Sequence, residues 1–481
     1  MTVAKQINNP LDNARMDRVH QVHLVGVGGC GMSAIAKILH KKGYLVTGSD
    51  IKESANTIRL RDLGVRVEIG HQETNVRGAD LVVVSSAIYS DNPEIFEAQR
   101  RGVFICRRAE MLSWLMDQFA VRVAVAGTHG KTTTTSMLAQ IFMHLDLDPT
   151  FLIGGETDSV EGNARLGASP YIVAEADESD GSFLVLNPNL AVITNAESDH
   201  LDYFGSLDEV LFAFSTFAKK LGKDGKLVIN IDEKNAAALA GSMADLVPVY
   251  TYGLDPRAEV SADEVTFSQG FCEFRVRHKD KILGKVKLLV PGWQNVVNSL
   301  AAIYVGLLCG LDFSAMAQAL QSFRGAKRRF QLIGEIGGIK IIDDYAHHPT
   351  ELKMTLQAAR LSFPLARLVC VFQPHRYTRT AYFYKEFGAA FADADLVIIT
   401  DVYSAGEKAI DGVSGQMIVD EMKKNGKEIF YIPRKEKIAE FLLGKVEAND
   451  LVLVAGAGDI NTVARELYSR LRMRENANPA A

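Results

Sequence analysis

Three times along this 481-residue chain an apolar, β-branched run breaks into a glycine turn and restarts with helical spacing. The segments are HLVGVGGCGMSAIAKILHKKGYLVTGSD (23–50), VRVAVAGTHGKTTTTSMLAQIF (121–142) and DLVLVAGAGDINTVARELYSRL (450–471). A strand that turns back as a helix buries its own apolar face and the helix stripe together only in a layered α/β arrangement with parallel strands. A chain this long exceeds one hydrophobic core. The three junctions therefore predict three α/β domains, at 1–106, 107–323 and 324–481. Only 245–290 departs from the alternation. There VTFSQGFCEFRVRHK predicts a β-hairpin around Gln269-Gly270, and the final ENANPAA reads as a disordered tail.

Composition narrows the function by exclusion. The net charge is −5 with no long like-charge block, which argues against a general nucleic-acid or membrane-surface binder, whose phosphate contacts need a basic excess. Cys30, Cys106, Cys272, Cys309 and Cys370 are scattered without a CxxC pair, so neither a thiolate metal site nor a disulfide framework is expected. The opening MTVAKQINNPLDNARMDRVH lacks the apolar stretch of a signal peptide. The most apolar run, 300–311, is about half the roughly 20 residues of a membrane span. A reduced cytoplasmic protein is expected, with no nucleic-acid partner and no membrane insertion.

Two of the glycine loops suit phosphate. Gly26, Gly28 and Gly31 match G-x-G-x-x-G between strand and helix, and Asp50 ends the next strand. Such a turn lets a pyrophosphate approach the helix N-terminus, where free N–H groups favour anions. The pattern alone fits NAD, with Asp50 on a ribose, and equally any other pyrophosphate ligand such as a UDP-sugar. It also fits tight strand–helix packing with no ligand. The second loop, Gly127-Thr128-His129-Gly130-Lys131-Thr132-Thr133, ends in G-K-T as a P-loop does, but Val125 stands where the longer motif has its first glycine. In this G-x-x-G-K-T form Lys131 is positioned to neutralise ATP phosphates and the Thr132 hydroxyl to sit on Mg²⁺.

A Mg²⁺-ATP site needs further ligands. AEADESDGSF supplies Glu175, Asp177, Glu178 and Asp180 after one apolar strand; ITNAESDHLDYFG supplies Asn195, Asp199, His200 and Asp202 after the next. Separately each cluster suits a solvated loop or helix cap. Together, behind the same loop, they predict a metal shell at one sheet edge. Farther on, GAKRRFQ (325–331), DDYAHHPTE (343–351) and QPHRYTRT (373–380) concentrate Arg, His, Asp and Tyr. In HRYTR two arginines three apart suit bidentate grip on carboxylates. From the residues themselves the reading is an ATP-using enzyme with a second anionic substrate.

The chain resembles the Mur ligases along nearly its whole length. The resemblance rests on GVGGCGMSAIA (26–36), GTHGKTTTT (127–135), EADESD (175–180), SDHLDYF (198–204), KRRFQ (327–331), DDYAHHPTE (343–351), QPHRYTRT (373–380) and GAGDI (456–460), in that order. QPHRYTRT points to the alanine-adding branch. Gln294 departs from the pattern, since the resemblance leads one to expect histidine before Asn295. The family implies a Rossmann-like UDP-binding domain, a central P-loop ATPase-like α/β domain and a C-terminal Rossmann-like α/β domain. It implies that ATP phosphorylates the lactyl carboxylate of UDP-N-acetylmuramate and that the amine of L-alanine attacks the acyl phosphate, a step in peptidoglycan precursor synthesis.

By motif match, the resemblance gives Gly127, Thr128, His129, Gly130, Lys131, Thr132 and Thr133 to ATP, with Thr132, Glu175 and His200 on Mg²⁺ or Mn²⁺. It implies Asn295 at the adenine, Arg329 at the γ-phosphate and Asp344 at the ATP ribose. Tyr345, His375, Arg376 and Arg379 are implied for the alanine and reacting carboxylate, with His347 near the transferring phosphate. Lys131, Arg329, His347, His375, Arg376 and Arg379 form the implied catalytic set. Gly28, Gly29, Gly31, Met32 and Ser33 are implied for the UDP diphosphate, and Asp50, His71, Ser85 and Ser86 for further UDP-sugar contacts. A monomer or homodimer is expected. The alternatives are a sister ligase adding a preformed peptide, a nicotinamide-dependent dehydrogenase and a nucleotide-gated binding module without catalysis.

Overall fold

A computed structural model describes residues 11–157, 162–423 and 428–477, and the chain forms three sheets. The first contains β1 (Gln21–Val25), β2 (Leu45–Asp50), β3 (Arg66–Ile69), β4 (Leu81–Val84) and β5 (Phe104–Arg107) in the order β3-β2-β1-β4-β5. All are parallel, with Gln21 opposite Leu45 and Val22 opposite Leu81. The chain runs outward from β1 to β3 and then returns to the other side of β1. That reversal opens a crevice at the carboxyl ends of β1 and β4, where ligands of such sheets bind.

The second sheet contains β6 (Val121–Ala126), β7 (Thr150–Thr157), β8 (Gly162–Arg165), β9 (Tyr171–Glu175) and β10 (Leu190–Ile193). It continues with β11 (Lys226–Asn230), β12 (Val249–Gly253), β13 (Val260–Ser268), β14 (Phe271–His278) and β15 (Lys281–Leu288). The order is β15-β14-β13-β12-β11-β10-β6-β9-β7-β8. The predicted hairpin is present: Gln269 and Gly270 join β13 to β14 with φ of 42° and 86°, the paired positive φ of a tight hairpin turn.

The third sheet contains β16 (Gln331–Ile336), β17 (Ile339–Asp344), β18 (Arg367–Phe372), β19 (Leu396–Ile399), β20 (Glu428–Tyr431) and β21 (Asp450–Ala455). Its order is β16-β17-β21-β18-β19-β20, with only β16 antiparallel to its neighbour. Successive residues of its strands enter opposite cores. Leu368, Cys370, Phe372 and Leu453 pack on one face, while Val369, Val371, Val452 and Val454 pack on the other. Strands covered by helices on both faces have no solvent side, so β21 is buried at all six positions.

The chain divides into two compact units. One comprises Met1–Asp263, Val276–Gly284 and Val297–Leu320; the other comprises Glu264–Arg275, Lys285–Val296 and Gln321–Ala481. The division passes through β13, β14 and β15. The expected disordered tail needs correction, because the last helix runs Asn461–Ala477 and takes in the first three residues of ENANPAA. Residues 478–481 lie outside the described residues, as do 1–10 of the polar opening.

Candidate active site

The lysine loop sits between two acidic strand ends. β6 lies between β9 and β10, so the two clusters flank the loop rather than adjoin each other. Gly127 has φ of 134°, and a Cβ there would lie 2.0 Å from Thr194 Oγ1, so only glycine lets the loop lie this close to the end of β10. Lys131 opens the helix Lys131–His144 and turns back over the loop. Its Nζ donates to Gly127 O at 2.6 Å and Thr128 O at 3.1 Å, and pairs with Glu178 Oε2 at 2.7 Å. Burial works against its charge, but Glu178, Asp177 and Glu175 outweigh that and raise its pKa. Glu178 is 2% exposed, and burial pushes its carboxyl up to about 7 against the pull of Lys131.

The donors fit a hard divalent cation. Thr132 Oγ1 donates to the Glu175 carboxylate at 2.9 Å, and Gly154 N–H donates to the same Oε2 at 2.8 Å. A hydroxyl and a carboxylate thus face one point beside the lysine, an oxygen set of the kind Mg²⁺ takes. His200, with φ of 53°, brings its Nε2 to 3.6 Å from Glu178 Oε1. Other members of the clusters do different work. Asn195 clamps the loop, its Oδ1 accepting from His129 N–H at 2.8 Å and its Nδ2 donating to His129 O at 3.1 Å. Glu178 holds the lysine. Both were grouped with the metal shell by sequence, which shows where a strand ends but not which way each side chain turns.

At the first glycine turn Gly29 caps the helix Cys30–Lys41, and Gly28 N–H donates to Asp50 Oδ2 at 2.9 Å. Met32 and Ser33 are buried, and Ser33 gives its Oγ proton to Cys30 O and its N–H to Gly29 O. Both side chains belong to the helix core. His71 Nδ1 faces Ser49 Oγ at 3.1 Å and the buried Glu94 at 3.2 Å. Ser85 and Ser86 line a pocket with Arg107, Arg108, Asp180 and Ser182. Arg108 packs on the turn, since a Cβ on Gly31 would lie 3.2 Å from its Cδ. Its Nη2 donates to Ser182 Oγ at 3.3 Å and lies 3.8 Å from Asp177. Sequence reasoning missed this arginine, although VFICRR has the signal applied elsewhere: charge at the end of an apolar strand.

The remaining expected residues fall in the second unit. Arg329 Nη1 donates to Glu351 Oε1 at 3.3 Å, and both Arg328 and Arg329 overlie the Tyr345 ring. The His347 and His375 rings meet edge to face with centroids 5.7 Å apart, and Arg379 Nη1 lies 3.3 Å from His375 Nδ1. Arg376 Nη1 lies 3.8 Å from Glu407. Asn295 donates its Nδ2 to Pro291 O at 2.6 Å.

Asp344, expected at the ATP ribose, ends β17. It is 4% exposed and its carboxylate accepts from Phe330 N–H and Ala346 N–H, each at 2.7 Å, which ties the loop after β17 to the segment leading into β16. Burial pushes its carboxyl up to about 6, more than Arg329 and the two N–H groups lower it. An acid with a raised native pKa keeps its proton longer folded than unfolded, so its contribution to stability falls as pH rises from about 4 to about 6. Asp344→Asn removes this titration. The thermal midpoint of wild type relative to the variant is expected to fall by about 2–4 °C between pH 5 and pH 7, roughly 1 kcal/mol. A gap between the two that stays flat with pH would show that the carboxyl is already ionised at pH 5.

Comparison with known proteins matches the three sheets to three family domains. Residues 21–120 match the Mur ligase family catalytic domain, 125–306 the Mur ligase middle domain and 328–458 the Mur ligase glutamate ligase domain. The chain belongs to the Mur ligase family. This ligase is 48% identical over 459 residues to the UDP-N-acetylmuramate–L-alanine ligase of Pelotomaculum thermopropionicum, covering 95% of this chain and 99% of that protein. The crystal structure of UDP-N-acetylmuramate-alanine ligase MurC from Thermotoga maritima superposes with a TM-score of 0.81 at 34% identity, over 94% of this chain and 99% of that one. A murein peptide ligase from Psychrobacter arcticus shares the fold, with a TM-score of 0.69 at 24% identity over 94% and 98% of the two chains. The ligase fold expected from sequence is thus the observed one. Among the described residues no helix is long and apolar enough to cross a membrane.

Proposed function

We propose that the protein is an ATP-dependent ligase joining L-alanine to the lactyl carboxylate of UDP-N-acetylmuramate, with release of ADP and phosphate. One observation carries the reading. The Lys131–Glu178 pair and the Thr132–Glu175 contact gather an ammonium, a hydroxyl and two carboxylates at one loop, in a chain that aligns over 95% of its length with a ligase of that name. A carboxylate resists amines because its charge is delocalised and oxide is a poor leaving group; phosphorylation replaces that leaving group with phosphate. The first step brings two anions together, and positive charge has to screen them.

In this reading Lys131 and the loop Gly127–Thr133 hold the ATP phosphates and Arg329 takes the γ-phosphate. Thr132, Glu175 and His200 hold Mg²⁺ or Mn²⁺, which supplies further charge neutralisation on the phosphates. Asn295 faces the adenine and Asp344 the ATP ribose. The glycine turn at Gly28, Gly29 and Gly31, with Asp50, His71, Ser85 and Ser86, takes the UDP-sugar, and Arg108 joins that set. Tyr345, His375, Arg376 and Arg379 handle alanine and the reacting carboxylate. The domains divide at 1–106, 107–323 and 324–481, the enzyme works as a monomer or homodimer, and its ATP supply places it in the cytoplasm.

A coupled assay tests the reading. Phosphate release is expected only when UDP-N-acetylmuramate, L-alanine and ATP are all present. Release that ignores the omission of alanine would overturn it, and release with a preformed tripeptide but not with alanine would make the protein the sister ligase.

A further inference from the structure

The helix that begins at the first glycine turn is held from the second sheet by one buried amide. Asn163 of β8 is 1% exposed. Its Nδ2 donates to Cys30 O at 2.9 Å, and its Oδ1 accepts from Lys37 Nζ at 2.8 Å. A carbonyl only accepts and an ammonium only donates, so the two bonds fix which end of the amide is which. Cys30 lies between Gly29 and Gly31 of the turn, and Lys37 lies two helical turns farther along the helix Cys30–Lys41. The bonds therefore grip about 10 Å of one helix face. Apolar packing is non-directional, whereas two directed bonds set both the position of the helix along its axis and its rotation.

The neighbouring strand reaches the edge proposed to hold the metal. β8 pairs antiparallel with β7, Leu152 opposite Ala164 and Thr157 opposite Gly162, and the register shifts between those pairs. The irregular stretch contains Gly154 and Gly155. Gly154 N–H donates to Glu175 Oε2 at 2.8 Å, and a Cβ on Gly154 would lie 2.5 Å from the same oxygen. A Cβ on Gly155 would lie 3.1 Å from Thr132 Cγ2. β7 thus runs directly against Thr132 and Glu175, while its partner strand, about 5 Å away, holds the start of the helix. Both ends of this connection belong to one compact unit.

We infer that Asn163 is a positioning residue for phosphoryl transfer: through Cys30 O it sets the distance from the first glycine turn to the Thr132–Glu175 edge. The assignment rests on the ligase reading above, in which the turn anchors the UDP-sugar and the edge anchors ATP. In the transfer the γ-phosphorus gains a bond to a carboxylate oxygen of the sugar and loses its bond to the oxygen of ADP, which keeps the electron pair; no proton moves. The two reacting groups hang from separate anchors, so the spacing of the anchors decides whether they meet in line. The Asn163 amide is buried and engaged with Cys30 and Lys37, and it acts on the reaction through them.

Single-turnover kinetics test this, with enzyme in excess over UDP-N-acetylmuramate and with ATP and L-alanine saturating. Asn163→Ala is expected to slow ADP formation on the order of a hundredfold, the cost of a displacement near 1 Å. The Kd for UDP-N-acetylmuramate and the Kd for an ATP analogue with Mg²⁺, measured by calorimetry, should each stay within about threefold of wild type, because neither anchor loses a group. The same titrations count the folded sites. A purely structural role would lower that count and leave the rate per site unchanged. Asn163→Asp has nearly the same shape and keeps an acceptor for Lys37, but it cannot donate to Cys30 O, and it is expected to match Asn163→Ala. It also decides the question if the alanine variant does not fold. Rates per site within about threefold of wild type overturn the assignment. So does a wild-type rate in Asn163→Asp alone, or a rise in either Kd as large as the loss of rate. A wild-type enzyme that forms no ADP with all three substrates present overturns the ligase reading and this assignment with it.

Discussion

Lys131→Ala is expected to reduce alanine-dependent phosphate release by at least about a hundredfold, the scale for deleting one group that stabilises developing charge. The loss should fall on kcat as well as on the KM for ATP, because the ammonium is needed most where charge builds up between two anions. The fold should survive. Lys131 pairs with a buried carboxylate, and removing one partner of such a pair is ordinarily severe. Here the Glu178 carboxyl is already raised to about 7 by burial, so without the lysine it takes up a proton instead of standing as a naked charge. The thermal midpoint is therefore expected to stay within a few degrees of wild type near neutral pH and to drop more steeply above pH 8. Lys131→Arg keeps the charge but cannot bring one compact ammonium to Gly127 O, Thr128 O and Glu178 together, and should recover little. Initial rates for the two variants, with circular dichroism melts at pH 7 and pH 8.5, check both parts. Near wild-type turnover in Lys131→Ala would remove the loop from the mechanism.

Elements whose signal is local were legible in the sequence. The three strand–loop–helix junctions are read from a change of period around glycine, and the hairpin at Gln269-Gly270 from a two-residue loop between alternating strands. Thr132 and Glu175, 43 residues apart, meet as expected, because the end of a parallel strand and the start of the next helix share one edge of the sheet. What sequence could not supply is the direction of a side chain once it is there. Asp344 and Glu178 each follow an apolar strand as Glu175 does. One ties down its own loop and the other neutralises the lysine. Ser33 reads as a polar residue at a phosphate turn, yet helical geometry rotates it inward to bond Cys30 O. Arg108 was missed for the converse reason: an arginine at a helix start reads as solvated until the Gly31 backbone is seen against it.

Gly127→Ala is the second large effect, and it separates the shape of the loop from its charge. The substitution deletes no functional group. It adds one methyl that would lie 2.0 Å from Thr194 Oγ1, 3.0 Å from Thr194 N and 3.1 Å from Asn195 N, at a φ of 134°. The side-chain clash could be relieved by trimming Thr194, but the backbone contacts and the φ could not, and that conformation costs an alanine about 1–3 kcal/mol. The loop has to shift, carrying with it two of the carbonyls that hold Lys131 and the Asn195 clamp on His129. A displacement near 1 Å at a phosphate-positioning loop costs on the order of a hundredfold in rate. Gly127→Ala is thus expected to lose about a hundredfold in kcat/KM for ATP and most of the thermal shift that an ATP analogue with Mg²⁺ gives wild type. Thr194→Ala alone should lose only several-fold, and the double variant should do no better than Gly127→Ala. Recovery in the double variant would assign the effect to the hydroxyl clash alone, and an active Gly127→Ala enzyme would show that the tight approach of this loop to β10 is not what holds the phosphates.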